Sequence, residues 1–216
     1  DNYRFITYHL TLDSVVLNSS IQRGLDFTKP DKIDLSSVST ELTMNYTSYI
    51  HLTIAFLPFL QKLSSPINLI YFTSALVLVS ITRSKNCCAS KATLNHLVIY
   101  LLEQLWGSNT KVIGILPPAI QTKLYDERHQ PDMKGMSGSG MSPDEFTEKE
   151  WKGLTEENEQ VPVGMSNMCG ETFENKQLVT GGFKSRRHYS TTLWPWLFGI
   201  RPTCQLFILS PTLRTL

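Results

Sequence analysis

Asn68-Leu69-Ile70-Tyr71-Phe72-Thr73-Ser74 is the stretch whose reading decides the fold. It is short and apolar and follows Pro66, which is how a strand buried on both faces reads. Between Ala89 and Trp106, Leu94, Leu97, Val98, Leu101 and Leu105 recur at three- and four-residue spacings, with Gly107 where a C-terminal cap would sit. That spacing predicts a helix. Lys111 to Leu116 is a second apolar run, stopped by Pro117-Pro118. Upstream, Asp13-Ser14-Val15-Val16-Leu17-Asn18 predicts a further strand ending in a small polar loop. From Leu35 to Lys62, Leu42, Tyr46, Ile50, Ile54 and Leu57 fit a buried helix that Pro58 is expected to kink or restart. Strand, helix, strand, helix, strand predicts an α/β fold with a parallel sheet and flanking helices.

The rest of the chain narrows the function. Its 216 residues suit one domain with a sizeable core, and 41% hydrophobic with 18% charged residues is a globular composition. Twenty Lys and Arg against nineteen Asp and Glu give a net charge of +1, so no overall field draws in nucleic acid or anionic lipid. Cys87, Cys88, Cys169 and Cys204 show neither a zinc-site spacing nor a disulfide framework. No metal is expected, and a reducing, cytoplasmic setting fits. Asp1-Asn2-Tyr3-Arg4 does not open a secretion signal. The apolar stretch Ile67 to Ile81 contains Asn68, Thr73, Ser74 and Ser80 and falls short of the ~20 residues of a membrane span. Prolines and Arg201 interrupt the apolar end after Leu193, so no membrane span is expected there either. The sequons at Asn18 and Asn45 read as incidental.

Beyond Thr122 the chain turns polar. Met133 to Met141 is rich in glycine and serine, and it superficially suggests a phosphate loop. Its expected place after the last strand argues against that, because a nucleotide loop follows a strand and opens a helix at the first crossover. Ser142 is placed to cap a helix from Pro143 to Glu159, with Asp144 and Glu145 favourable in its first turn. The basic run Lys184 to His188 reads as a solvated tail rather than a nucleic-acid site.

Four features in the right order carry a family resemblance. Asn18-Ser19-Ser20 looks like an Asn-Ala-Gly loop, and Ile21-Gln22-Arg23-Gly24-Leu25-Asp26-Phe27 is similar to a fungal branch of the same family. Asn45 sits where a helix carries a catalytic asparagine. Ser74 and Lys91 are seventeen residues apart. Pro117-Pro118-Ala119-Ile120-Gln121-Thr122 resembles a Pro-Gly-x-x-x-Thr segment. Together these resemble the short-chain dehydrogenase/reductase family of NAD(P)-dependent oxidoreductases, over roughly residues 11 to 175.

The resemblance implies a Rossmann-like fold, NAD or NADP as cofactor, and a small-molecule substrate with a hydroxyl or carbonyl group. It implies that Ser74 bonds the substrate oxygen, that Lys91 holds the nicotinamide ribose, and that Asn45 supports a water path for the proton. Asn18, Pro117 and Thr122 would join Lys91 in binding the cofactor. It also implies pairing of copies through the two long helices. Without it, each residue has a plainer reading: Ser74 a turn residue, Lys91 a solvated helix residue, Cys87 a small buried hydrophobe, and Asn45 a polar group bonded to nearby backbone.

The departures are as informative as the matches. Four residues before Lys91 the family places a tyrosine; here stands Cys87, and no tyrosine in the chain has a lysine at plus four. A thiol beside an ammonium is open to ionising below its usual pKa of roughly 8.5, which makes an acid–base role for Cys87 conceivable. Its shortness argues against that role. The glycine-rich first βαβ unit of the family does not precede Asn18, so an incomplete Rossmann-like domain over residues 1–177 is expected, followed by a divergent, poorly ordered tail over 178–216. The expected function is an oxidoreductase inactive in this form; the alternative is a non-catalytic remnant that at most binds a protein partner.

Overall fold

A computed structural model describes residues 14–164 apart from 129, 137 and 157. Four parallel strands lie side by side in chain order: β1 (Ser14–Leu17), β2 (Ile67–Phe72), β3 (Thr110–Leu116) and β4 (Gln160–Pro162). Parallel neighbours need long crossovers, and each crossover here carries helix. Helices α1 (Leu35–Leu42) and α2 (Ser48–Leu60) join β1 to β2, α3 (Lys85–Gln104) joins β2 to β3, and α4 (Pro143–Thr155) joins β3 to β4. The α/β class and the parallel sheet with flanking helices are as the periodicity predicts.

Alternation along the strands sorts their side chains onto two faces. Leu69 and Tyr71 of β2, with Val15, Leu17 and Val112, pack in one core with Tyr49 and Leu60 of α2 and Leu94 and Val98 of α3. Ile70, Ile113, Ile115 and Val161 form a second core with Phe146 of α4. Each large side chain so buried contributes about 1.5–3 kcal/mol. Helix α3 crosses β3 at Gly114, where an added Cβ would lie 3.1 Å from Val98 Cγ1. The missing side chain lets the helix approach the sheet closely.

Three expectations change. Residues 35–60 follow one helical path that continues through Pro58 without restarting, and it carries an unforeseen π-helical turn at Thr43–Thr47. Pro58 and Ile54 both lie on the exposed face, so the carbonyl that Pro58 cannot bond is open to water. A fourth strand, Gln160–Pro162, was not apparent in the sequence: three residues ending in proline show no period, and only pairing with Gly114–Leu116 makes them a strand. The glycine- and serine-rich stretch therefore lies inside the β3–β4 crossover rather than after the last strand. Finally, α3 begins a turn earlier than expected, at Lys85, which places Cys87 and Cys88 within it.

Ser142 caps α4 by accepting from the Glu145 amide at 3.2 Å, as expected. No helix among the described residues is long and apolar enough to cross a membrane. The boundary expected at residue 177, the tail beyond it and the basic run within it lie outside the described residues.

Replacing Gly114 with valine should lower stability by about 1–3 kcal/mol despite valine's better strand propensity, because the new methyls meet Val98. Urea denaturation should show the midpoint fall, and Gly114→Val with Val98→Ala should recover part of the loss.

Candidate active site

Parallel strands end on the same edge of the sheet, so the residues that follow them converge. Asn18 follows β1, Ser74 follows β2, and Pro117 follows β3. Backbone bonds stitch the last two segments together: the Thr73 amide and hydroxyl both donate to the Ile115 carbonyl at 2.8 Å, and the Ala75 amide donates to the Pro117 carbonyl at 2.8 Å. These segments border a cavity of about 1130 Å³ that Asn18, Ser74, Cys87, Lys91, Pro117 and Thr122 all line. Six of the seven residues singled out in the sequence thus meet at one place.

Ser74 caps a short 3-10 turn, Ala75–Val77, its Oγ accepting from the Leu76 amide at 3.1 Å. It is therefore the turn residue of the plainer reading and a wall of the cavity as well. The hydroxyl proton is not used in that bond. Thr122 similarly accepts from the Leu124 amide at 3.3 Å, at the start of another short turn.

Cys87 and Lys91 sit one turn apart on α3, both buried. The Lys91 ammonium donates to the Phe72 carbonyl at 2.8 Å and lies 5.6 Å from the centre of the Tyr49 ring. Burial lowers its pKa from 10.5 to about 8, with the neighbouring Cys87 opposing the shift. For Cys87, burial pushes the thiol up from 9.0 to about 12, and the Glu41 carboxylate pushes the same way against the pull of Lys91. The ionisation beside an ammonium that the sequence left conceivable is disfavoured, because loss of solvation outweighs the nearby charge.

Asn45, in the π-helical turn, does not line the cavity. Its amide is fully bonded: Oδ1 accepts from the Ser20 hydroxyl at 3.0 Å and the Ile21 amide at 2.9 Å, while Nδ2 donates to the Ile21 carbonyl at 2.9 Å and Ser90 Oγ at 3.1 Å. The side chain pins the loop after β1 to α3, across distances in sequence that the plainer local reading did not foresee. With no exposed surface, Asn45 is also closed to glycosylation in the folded chain. Tyr49 secures the same loop by donating to the Ser19 carbonyl at 2.8 Å.

The family model described as short chain dehydrogenase matches residues 4–132. The chain belongs to the short-chain dehydrogenase family. A relative from Bacillus subtilis, the uncharacterized oxidoreductase DltE, is 28% identical over 150 residues, covering 69% of this chain and 58% of the relative. The chain thus spans little more than half that protein's length. Among solved structures, a short-chain dehydrogenase from Burkholderia cenocepacia in complex with NADP superposes with a TM-score of 0.66 at 18% identity, covering 83% of this chain and 74% of that one. One from Sphingobium yanoikuyae in complex with NADPH does so with a TM-score of 0.67 at 16% identity, covering 87% and 72%. At such identities the likeness is one of fold.

Near Cys87 lies a residue that sequence reading missed. Glu41 is 1% exposed, and its Oε1 has no hydrogen-bond partner. Burial raises its pKa, against bonds from the Asn86 side chain and the Arg23 backbone and the charges of Arg23 and Arg83. The available signal was its place four residues before Asn45, on the same helical face. Cys87 therefore feels both a carboxylate and an ammonium.

The lowered pKa of Lys91 has a defined effect on stability. Below about pH 8 the folded chain carries a buried charge; as pH rises toward 10.5 the folded chain loses that proton while the unfolded chain keeps it, so stability rises. The full displacement corresponds to about 3 kcal/mol. In a Cys87→Ala background, which removes the thiol's titration, the chain with Lys91 should gain stability relative to Lys91→Met between pH 7 and 10, read by urea denaturation.

Proposed function

We propose that this chain carries the substrate and nicotinamide end of a dehydrogenase site, and that it is inactive in this form because position 87 holds no working proton donor. The observation that carries the reading is the Cys87 thiol, 3% exposed, with its pKa near 12, one turn before Lys91. Membership of an oxidoreductase family supports the rest.

Lys91 has one N–H on Phe72 and two left for ribose hydroxyls, and Asn18, Pro117 and Thr122 border the same space. This donor set fits the nicotinamide end of NAD or NADP. The relatives solved with NADP and NADPH favour the same assignment. A nicotinamide bound there would supply hydride exchange with the substrate carbon. Ser74, oriented by the Leu76 amide, directs its free proton to the substrate oxygen.

A proton must also move to or from that oxygen. At neutral pH the Cys87 thiol is protonated and cannot act as base. Acting as acid, it would leave a thiolate buried beside Glu41, and its short side chain ends far behind the reach of a phenol. Losing a positioned acid–base group lowers rates by roughly 10²–10⁴-fold.

A second copy of the chain is the proposed protein partner. The exposed apolar side chains Leu52 and Ile54 of α2 and Tyr100 of α3 favour it. Sedimentation equilibrium should give a dimer or larger; a monomer at micromolar concentration sinks this part.

Titration with NADPH, followed by nicotinamide fluorescence, should saturate without turnover of carbonyl compounds. Cys87→Tyr should raise turnover by about 100-fold or more. Turnover by the unaltered chain would overturn the inactivity, and an unchanged fluorescence would overturn the cofactor assignment.

A further inference from the structure

We infer that the cavity beyond Ser74 takes a bulky, uncharged apolar compound bearing one hydrogen-bonding oxygen, such as an aromatic or alicyclic ketone or its alcohol. The oxygen's contact with Ser74 rests on the function proposed above; recognition of the apolar body does not.

After Ser74 the chain turns along one wall of the cavity and places Leu76, Leu78, Val79 and Ile81 on it. Met133 and Met136, from the β3–β4 crossover, line the same cavity. Val79, Ile81 and Met136 are 44%, 51% and 45% exposed, so large apolar side chains stand open to water around this space. Water is a poor occupant of such walls, and a ligand that displaces it gains the corresponding burial. The methionines are unbranched and adapt to differently shaped hydrocarbon.

Of the cations around the cavity Arg83 is paired: it grips Asp132 through Nε at 2.6 Å and Nη2 at 2.7 Å, while its buried Nη1 has no hydrogen-bond partner. Arg23 donates to the Gln22 carbonyl at 2.7 Å, and Lys91 to Phe72. Lys123 is exposed to solvent. On the function proposed, a ribose takes the remaining Lys91 N–H groups, and Glu150 on the same lining opposes an entering carboxylate but not a neutral ligand.

Size points the same way. A cavity of about 1130 Å³ exceeds what a nicotinamide end and a two- or three-carbon acid fill, and the small Cys87 side chain leaves the space in front of it open. The Arg83–Asp132 pair and the bond from the Leu25 amide to the Arg83 carbonyl at 3.1 Å join the loop after β1, the start of α3 and the β3–β4 crossover. These ties hold the walls in place before a ligand arrives, which lowers the cost of binding.

Isothermal titration calorimetry with 1-tetralone and with pyruvate, each with and without NADPH, tests the proposal. The expected result is sub-millimolar binding of 1-tetralone, at least about tenfold tighter than pyruvate, with a negative heat-capacity change. Ile81→Asp and Val79→Asp should each weaken it by about tenfold or more by placing a charge on the apolar wall. Leu35→Asp, at the exposed start of α1 away from the cavity, should leave it unchanged. Equal or tighter binding of pyruvate, no binding of 1-tetralone, or equal losses in the Ile81 and Leu35 variants would overturn the proposal. If 1-tetralone binds and NADPH does not, the cofactor assignment fails and the apolar pocket stands; if NADPH binds and 1-tetralone does not, only the apolar pocket fails.

Discussion

The hydrogen bond from the buried Lys91 ammonium to the Phe72 carbonyl at the end of β2 is the constraint on which the site depends. It joins α3 to the edge of the sheet where three strand ends meet. Gly114 makes the join possible by letting α3 lie close over β3. Once the helix is held there, Cys87 and Lys91 face the loops after β1, β2 and β3, and the cavity is the space those loops enclose. A lysine held this far from water is unfavourable unless its charge is used, and its pKa is lowered accordingly.

The loop after β1 is fixed by side chains rather than by secondary structure. Asn45 bonds it at Ser20 and Ile21, and Tyr49 bonds it at Ser19. Asn45 occupies a π-helical turn, where the extra residue per turn rotates the side chains that follow relative to those before. Leaving any one of these buried polar groups without its partner costs about 1–3 kcal/mol, so the network tolerates little substitution. Asn45 thus acts on the cavity only through the loop it holds.

Cys87 separates the geometry of the cavity from its chemistry. It stands one turn before Lys91 and faces the same space as Ser74. The side chain is small, buried and backed by Glu41, and each of those properties works against moving a proton. The same smallness enlarges the cavity. On the function proposed, the missing acid–base group leaves the surrounding walls of the cavity in place.

The periodicity of Leu94, Val98 and Leu101 and the apolar runs of β2 and β3 carried the fold class by themselves, because burial on both faces of a parallel sheet leaves a signal within each segment. The order and spacing of Ser74, position 87 and Lys91 pointed to the cavity only through the family resemblance they carry. β4 was not legible, because a three-residue strand exists only through its partner. Nor was the state of Cys87, whose pKa is set by loss of water and by Glu41, 46 positions away in the chain. Sequence alone determined the class of fold and named six residues that line the cavity, but not Glu41. The tertiary structure decided which of them reach the cavity and whether they are charged, because distance and solvation exist only once the segments are packed.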